Sequence, residues 1–176
     1  GRFCGFPMTM EHALAKRSLG AGQGEEKLQS FFGPTAHYIT IRKKRVELMD
    51  AYIAAHGIEV KPGIYELLDA LDQQGIPAAI TSSSSQEIIR RHLEAHNLYH
   101  RFAKICSGHD VPNGKPAPDI YLHGAASLGL PPESCLALED SPTGILAAYR
   151  AGCVAVMVPD LDQPDGETEK LLQAKA

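Results

Sequence analysis

Two adjacent carboxylates stand at the end of an apolar stretch in the last third of the chain. Residues 134–138 are predicted to form a buried strand, and Glu139 and Asp140 follow it directly. Ser141 and Pro142 then have the residue types favoured at the N-cap and the first position of a helix. Two acids at the end of a buried strand are costly unless positive charge lies nearby. Because carboxylate oxygens are the ligands that Mg²⁺ prefers, the pair predicts a divalent metal site.

Hydroxyl groups follow another predicted strand. Thr81 and Ser82 begin a run of hydroxyl side chains that continues to Ser85. Hydroxyls and free backbone N–H groups at the start of a helix can bind an anion. Simple helix capping, with Ser84 and Glu87 as a capping box, is the structural alternative.

A lysine stands in a third loop, between residues that restrict its backbone. Lys115 is flanked by Gly114 and Pro116, so the loop should hold it in one place. A fixed cation can neutralise a phosphate group, whereas a lysine taken alone is most simply a surface residue. Hydroxyl, cation and paired acids at one edge of a sheet would suit a phosphoryl group bound with Mg²⁺.

The elements that must position these side chains change in type near Pro62. Before it, the sequence predicts helices alone, at residues 10–19, 25–32 and 41–56. After it, predicted helices at 63–74, 118–128, 142–151 and 167–173, and one ending near 97, alternate with predicted strands at 76–80, 102–106, 134–138 and 153–158. This alternation indicates an α/β fold with a parallel sheet covered on both faces. The carboxyl ends of parallel strands share one edge, so the three groups are expected to meet.

The amino-acid composition argues against nucleic acid and membranes as binding partners. The 176 residues carry a net charge of −4 and no tryptophan, so neither a basic surface nor an aromatic platform for nucleic acid is indicated. No apolar run has the length of a membrane span, and four widely spaced cysteines read as reduced thiols. We therefore expect a cytoplasmic protein without nucleic-acid or membrane partners. The basic run at residues 42–45 is either solvated surface or an attractor of an anionic substrate.

Three short motifs together resemble the haloacid dehalogenase (HAD) superfamily. Ile80-Thr81-Ser82-Ser83, Gly114-Lys115-Pro116-Ala117-Pro118-Asp119 and Leu138-Glu139-Asp140-Ser141 are similar to its second, third and fourth motifs. The branch that the chain most resembles is the β-phosphoglucomutase-like phosphatases with a helical cap. The resemblance implies a Rossmann-like core over residues 59–176 and a small all-helical cap over residues 1–58, incomplete at its N-terminus.

The resemblance also implies roles for individual residues. Thr81 would hydrogen-bond the transferring phosphoryl group, with the Ser82 backbone N–H nearby, and Ser83 to Ser85 would contact the distal part of a substrate. Lys115 would balance the charge of the nucleophile and the phosphate, so Thr81 and Lys115 are the candidate catalytic residues.

The implied function is Mg²⁺-dependent hydrolysis of a small phosphorylated metabolite through an aspartyl-phosphate. Asp140 would bind the Mg²⁺, with Glu139 as a direct or outer-shell partner. One alternative is a phosphomutase of the β-phosphoglucomutase type, in which the same intermediate passes its phosphoryl group to a second sugar hydroxyl. The other alternative is a truncated or degenerate fragment without catalytic activity.

That last alternative arises because the first motif of the superfamily is not found. An Asp-x-Asp-Gly-Thr-like sequence, whose first Asp is the nucleophile, would follow an N-terminal strand. Residues 160–162 have the Asp-x-Asp spacing, but Gln163 and Pro164 follow them. Without the central strand two others would lack a ladder partner, which predicts one of three outcomes. A second copy fills the gap by self-association, the strands rearrange, or the sheet closes over the gap.

Overall fold

The computed structural model describes residues 5–14, 21–160 and 166–173. The chain divides into two compact units, Gly1–Glu59 and Val60–Ala176, and each is described by itself. No helix within these described ranges is both long and apolar enough to cross a membrane.

Among its described residues, the first unit has three helices and a small apolar core. They are α1 (Met10–Leu14), α2 (Ala21–Phe32) and α3 (Tyr38–His56). Residues 15–19 of the predicted first helix lie outside the described residues. Leu28, Ala36 and Ile41 are buried at the centre. The carboxylate of Glu25 accepts the N–H of Tyr38 at 2.6 Å, so α2 satisfies a backbone donor at the start of α3.

The second unit alternates strands and helices, as predicted. Its helices are α4 (Ile64–Gln73), α5 (Gln86–Ala95), α6 (Asp119–Leu128), α7 (Pro142–Ala151) and α8 (Gly166–Gln173). Its strands are β1 (Ala79–Ser82), β2 (Lys104–Ser107), β3 (Leu136–Glu139) and β4 (Val154–Met157). Short 3-10 turns at Tyr99–Arg101 and Pro132–Ser134 precede β2 and β3. The predicted α/β fold with a Rossmann-like parallel sheet is confirmed.

The four described strands pair as two separate parallel ladders. β1 pairs with β2, with Thr81 opposite Cys106, and β3 pairs with β4, with Glu139 opposite Met157. β1 and β3 are not partners of each other. Of the three outcomes expected for a sheet without its central strand, closure of the sheet over the gap therefore does not occur in the described chain.

The β3–β4 ladder is buried on one face. Small side chains of α7 pack against Ala137, and the buried cluster joins them to α6; its members are Ile120, Tyr121, Ala137, Ala147, Ala148, Ala151 and Cys153. On the other face, Leu136 is 62% exposed and Leu138 is 48% exposed. The expectation of a sheet covered on both faces is thus wrong for this ladder within the described residues. The alternation of β3 directs Ala137 and Glu139 inward and the two leucines outward.

Of the two predicted helix N-caps, one is confirmed and the other is wrong. Ser141 caps α7 by accepting the N–H of Gly144 at 3.2 Å, and Pro142 is the first helical residue, as predicted. α5, however, is capped by Ser85, whose hydroxyl accepts the N–H of Ile88 at 3.5 Å. The predicted capping box of Ser84 and Glu87 does not form, because the helix begins one residue later.

The first strand is shifted toward its carboxyl end relative to the prediction. Residues 76–80 were expected, whereas β1 covers Ala79–Ser82. Pro77 has no N–H to donate to a ladder, which disfavours pairing at the start of the apolar stretch. Thr81 and Ser82 therefore lie within the strand and not in the loop after it, and their backbones are fixed by the ladder.

Candidate active site

The side chain of Glu139 is the centre of a buried polar cluster at the carboxyl end of β3. Its Oε1 forms an ion pair with the ammonium of Lys115 and accepts the hydroxyl of Tyr121 at 2.9 Å. Its Oε2 accepts the backbone N–H of Asp140 at 2.9 Å and the N–H and hydroxyl of Ser141, both at 3.0 Å. The residue is only 9% exposed, so this carboxylate owes its charge to protein donors rather than to water.

The start of α7 is shaped to receive this carboxylate. A Cβ atom placed on Gly144 would overlap the Glu139 carboxyl group, so only glycine leaves enough room there. The two N–H donors to Oε2 precede the first turn of α7, where the helix dipole also favours negative charge. The sequence thus places an acid, a capping serine and a small residue in the order that this contact needs.

The loop that carries Lys115 is anchored at several points. The Lys115–Pro116 peptide bond is cis. Arg150 of α7 donates its Nη1 to the carbonyl of Pro116 at 3.0 Å, and Asn113 donates its side-chain amide to Asp119 at 2.9 Å. The Lys115 side chain is only 13% exposed. The ammonium is therefore directed inward to the end of β3.

The surroundings keep Glu139 charged and Tyr121 neutral. Burial raises the pKa of the Glu139 carboxyl, but the charge and hydrogen bond of Lys115, with the Ser141 N–H and the Tyr121 hydroxyl, outweigh it. The pKa of Glu139 consequently lies below its ordinary value. Burial is also the main cause that raises the pKa of Tyr121, and the charge of Glu139 adds to it. The phenol remains protonated and can donate.

Thr81 joins this cluster from the other ladder. Its side chain lies close enough to the Tyr121 hydroxyl to oppose the rise in the pKa of that phenol. Its methyl group lies against α6, where a Cβ atom on Gly124 would approach Cγ2 to 2.7 Å. The second predicted hydroxyl, that of Ser82, accepts the N–H of Ser84 at 3.2 Å and so orders the following turn. Ser83 is exposed beyond it.

A fully buried serine connects the serine turn to the loop after β2. The Ser107 hydroxyl donates to the carbonyl of Ser84 at 2.7 Å and accepts the N–H of His109 at 3.1 Å. Replacing Ser107 with Ala is expected to lower the free energy of unfolding by about 1–2 kcal/mol, because both partners lose a hydrogen bond. Urea denaturation measures this change. The exposed Ser134, replaced in the same way, is the control, and an equal loss for both variants would contradict the prediction.

The three predicted groups therefore meet in part. The structure brings Lys115 and Glu139 into direct contact and places the Thr81 side chain near Tyr121, which contacts both. Asp140 is half-buried next to Glu139. No three His, Cys, Asp or Glu side chains within the described ranges are grouped to hold a metal ion. The roles assigned to these residues remain predictions.

Sequence reasoning did not identify Tyr121 or Gly144 as parts of the site. Tyr121 lies two residues after the third motif on an amphipathic helix, where a tyrosine reads as core. Gly144 lies inside a helix, where its absent side chain gives no signal unless the partner is known. A signal was available for Tyr121, since a buried phenol needs a polar partner.

Comparison with known proteins identifies the family. The family model described as "Haloacid dehalogenase-like hydrolase" matches residues 8–158. The chain belongs to this HAD-like hydrolase family. The predicted resemblance to the HAD superfamily is thereby confirmed.

Three individual HAD-like proteins illustrate the similarity. Hexitol phosphatase A of Escherichia coli (strain K12) is 39% identical over 119 residues, which are 65% of this chain and 52% of that protein. A crystal structure of a "putative beta-phosphoglucomutase" from Thermotoga maritima has a TM-score of 0.70 and 26% identity, covering 98% of this chain and 78% of the other. CbbY from Rhodobacter sphaeroides in complex with phosphate has a TM-score of 0.72 and 26% identity, covering 91% and 75%. The chain spans about half the length of the curated relatives it matches.

Proposed function

We propose that this chain forms the phosphoryl-binding part of a HAD-type phosphatase that acts on a small phosphorylated metabolite. The observation that carries the proposal is the Lys115 ammonium, held by Glu139 and Tyr121 at the carboxyl end of β3. An ammonium has three protons, and these two contacts use two of them. The third can bind a phosphoryl oxygen, while the positive charge neutralises part of the phosphate charge.

Two further observations support a phosphate ligand. Thr81 lies at the carboxyl end of β1, and its side chain is close enough to Tyr121 to influence the pKa of that phenol. Among the similar proteins, hexitol phosphatase A is named for a phosphatase activity, and the CbbY structure contains phosphate. We infer from these that the ligand is a phosphomonoester of small size, with Ser82 beside its phosphoryl group and Ser83 beside the distal part of the substrate.

The carboxylates of Glu139 and Asp140 also suit Mg²⁺, and their proposed roles differ. Both oxygens of Glu139 already accept protein donors, which favours an outer-shell position for this residue. Asp140 is then the carboxylate that would bind Mg²⁺ directly. One protein carboxylate with water and phosphoryl oxygens is a common Mg²⁺ environment. When bound, the ion would withdraw negative charge from the phosphoryl oxygens.

For the whole protein we propose attack by an aspartate carboxylate on phosphorus, with cleavage of the ester P–O bond. The leaving oxygen takes a proton and departs as the alcohol, and water then hydrolyses the aspartyl-phosphate to regenerate the carboxylate and release phosphate. This chain's residues contribute binding and charge balance: Lys115 to the phosphoryl oxygens, and Thr81 by a hydrogen bond. None of the three motifs supplies the attacking aspartate.

Two alternatives rest on specific observations. The likeness to the Thermotoga structure, named for β-phosphoglucomutase, favours a phosphomutase. The lack of an Asp-x-Asp-Gly-Thr sequence favours a chain that binds phosphate without turnover. Incubation with a sugar 1-phosphate separates them: free phosphate supports the phosphatase, isomerised sugar phosphate supports the mutase, and bound but unchanged substrate supports the non-catalytic alternative.

In the whole protein, which would supply the attacking aspartate, replacing Asp140 with Ala is expected to reduce phosphate release from small sugar phosphates at least about 100-fold in the presence of Mg²⁺, because the direct metal ligand is removed. Colorimetric detection of free phosphate measures the loss, and EDTA should reproduce it with the unaltered whole protein. Asp160, which forms an exposed ion pair with Lys61 at 3.0 Å, provides the matched Asp→Ala control. Turnover that survives in the Asp140 variant would refute the metal role.

A further inference from the structure

The hydroxyl of Tyr121 contacts side chains of the third and fourth motifs. It donates to Oε1 of Glu139 at 2.9 Å and accepts from Nζ of Lys115 at 3.2 Å. The Thr81 side chain, from the second motif, lies close enough to oppose the rise in the pKa of Tyr121. A hydroxyl has one proton and two lone pairs, so its bonds to Glu139 and Lys115 leave one lone pair for a further donor.

The ring of Tyr121 is fixed by core packing and also contacts the Lys115 ammonium. The residue is 6% exposed and belongs to the buried cluster between α6, α7 and β3. The Lys115 ammonium lies 5.0 Å from the ring centroid, within the range of a cation–π contact. Because the ring is held by core packing, the position of the hydroxyl is fixed by the fold itself rather than by the flexible ends of lysine and glutamate.

We propose that Tyr121 is a positioning residue, which holds the Lys115 ammonium in register with Glu139 so that the ammonium can bind a phosphoryl group. The proposal rests on the proposed function for its ligand, although the arrangement itself does not. Without the hydroxyl, the long lysine side chain is left with Glu139 as its one polar partner in the cluster. Tyr121 would not touch the phosphate and would act through Lys115.

The test uses Tyr121→Phe in the full chain, which keeps the ring and removes the hydroxyl. Two quantities are measured: the Kd for inorganic phosphate by calorimetry, and the ¹⁵N signal of the Lys115 ammonium by NMR. We expect phosphate binding to weaken about tenfold, as for loss of one hydrogen bond to a charged group, and the ammonium signal to shift. Tyr65→Phe is the matched control, because its exposed hydroxyl makes one long bond, 3.4 Å, to the His96 carbonyl.

Each result has a defined meaning. A shifted ammonium signal and weaker phosphate binding in Tyr121→Phe, with neither change in Tyr65→Phe, support the positioning role. A folded Tyr121→Phe variant with both quantities unchanged overturns it. If the unaltered chain binds no phosphate, the proposed function fails, and the ammonium signal alone then decides the positioning role. If the variant does not fold, nuclear Overhauser contacts between the Lys115 side chain and the Tyr121 ring in the unaltered chain support the proposal, and their absence overturns it.

Discussion

Replacing Lys115 with Met is expected to lower the free energy of unfolding by about 3–5 kcal/mol at pH 7, because it leaves Glu139 charged and buried without its cation. The side chains of the pair are 13% and 7% exposed, so water can replace little of the lost interaction. Urea denaturation in the presence of EDTA measures the change without any contribution from bound metal. Phosphate binding should be lost in the same variant.

The loss should depend on pH in a defined direction. In the unaltered chain the pKa of Glu139 lies below the ordinary 4.5, so the pair stabilises the fold above that pH and loses its effect as the pH falls through the lowered pKa. In Lys115→Met, the cation no longer opposes the effect of burial, so the pKa of Glu139 should be higher than in the unaltered chain. The difference in stability between the two chains should therefore be largest near neutrality and shrink toward pH 4.

A second substitution separates the lost pair from a general packing defect. Lys115→Met combined with Glu139→Gln removes both charges and keeps an amide that can bond to Tyr121 and Ser141. Most of the lost stability should return in this double variant, but phosphate binding should not. Lys61→Met, which breaks an exposed ion pair, should cost less than about 1 kcal/mol. A double variant as unstable as Lys115→Met would show that the lysine acts through packing.

Replacing Gly144 with Ala is expected to lower the free energy of unfolding by about 1–3 kcal/mol, although alanine is the better helix former. The new methyl group would overlap the Glu139 carboxyl group and push it out of its site. The contacts with Lys115 and Tyr121 should be disturbed together, so phosphate binding should fall with stability. Thermal unfolding and calorimetry measure the two effects.

The control for this substitution is another helical glycine. Gly166 lies in α8, and a Cβ atom placed there meets nothing within 4 Å. Gly166→Ala should leave stability unchanged or raise it by up to about 1 kcal/mol through helix propensity. If Gly144→Ala behaves in the same way, Glu139 can move without cost and the proposed shape of the site is wrong.

Local sequence rules predicted the start of α7 well and the start of β1 poorly. Ser141 and Pro142 favour a helix start through their own side chains, without help from distant residues, and α7 begins where they indicate. The bounds of β1 depend on its partner, because pairing with Lys104–Ser107 and not apolarity decides which residues are ordered as strand. A single sequence does not show which strands pair, so Thr81 was predicted to lie in the loop after the strand and not within it.

The candidate site was also predictable only in part. The charged side chains of Lys115, Glu139 and Asp140 indicated a site that binds charged groups, and the topology predicted that they would lie at one edge of the sheet. The division of labour between the two acids could not be predicted, since it depends on which oxygens receive protein donors. Tyr121 was missed for a related reason: its ring is typical of a core position, and only the folded arrangement shows where its hydroxyl points.

The two separate ladders have a consequence for local opening and amide hydrogen exchange in the second unit. No described backbone hydrogen bond joins β1 to β3, so the two halves are connected through the packing of α6 against α7 and through the cluster around Tyr121. Main-chain amides of each ladder should therefore exchange with heavy water at their own rates, as two partly independent opening units. Within β1 and β3, amides directed toward the partner strand should exchange slowly, and those directed away from it should exchange fast.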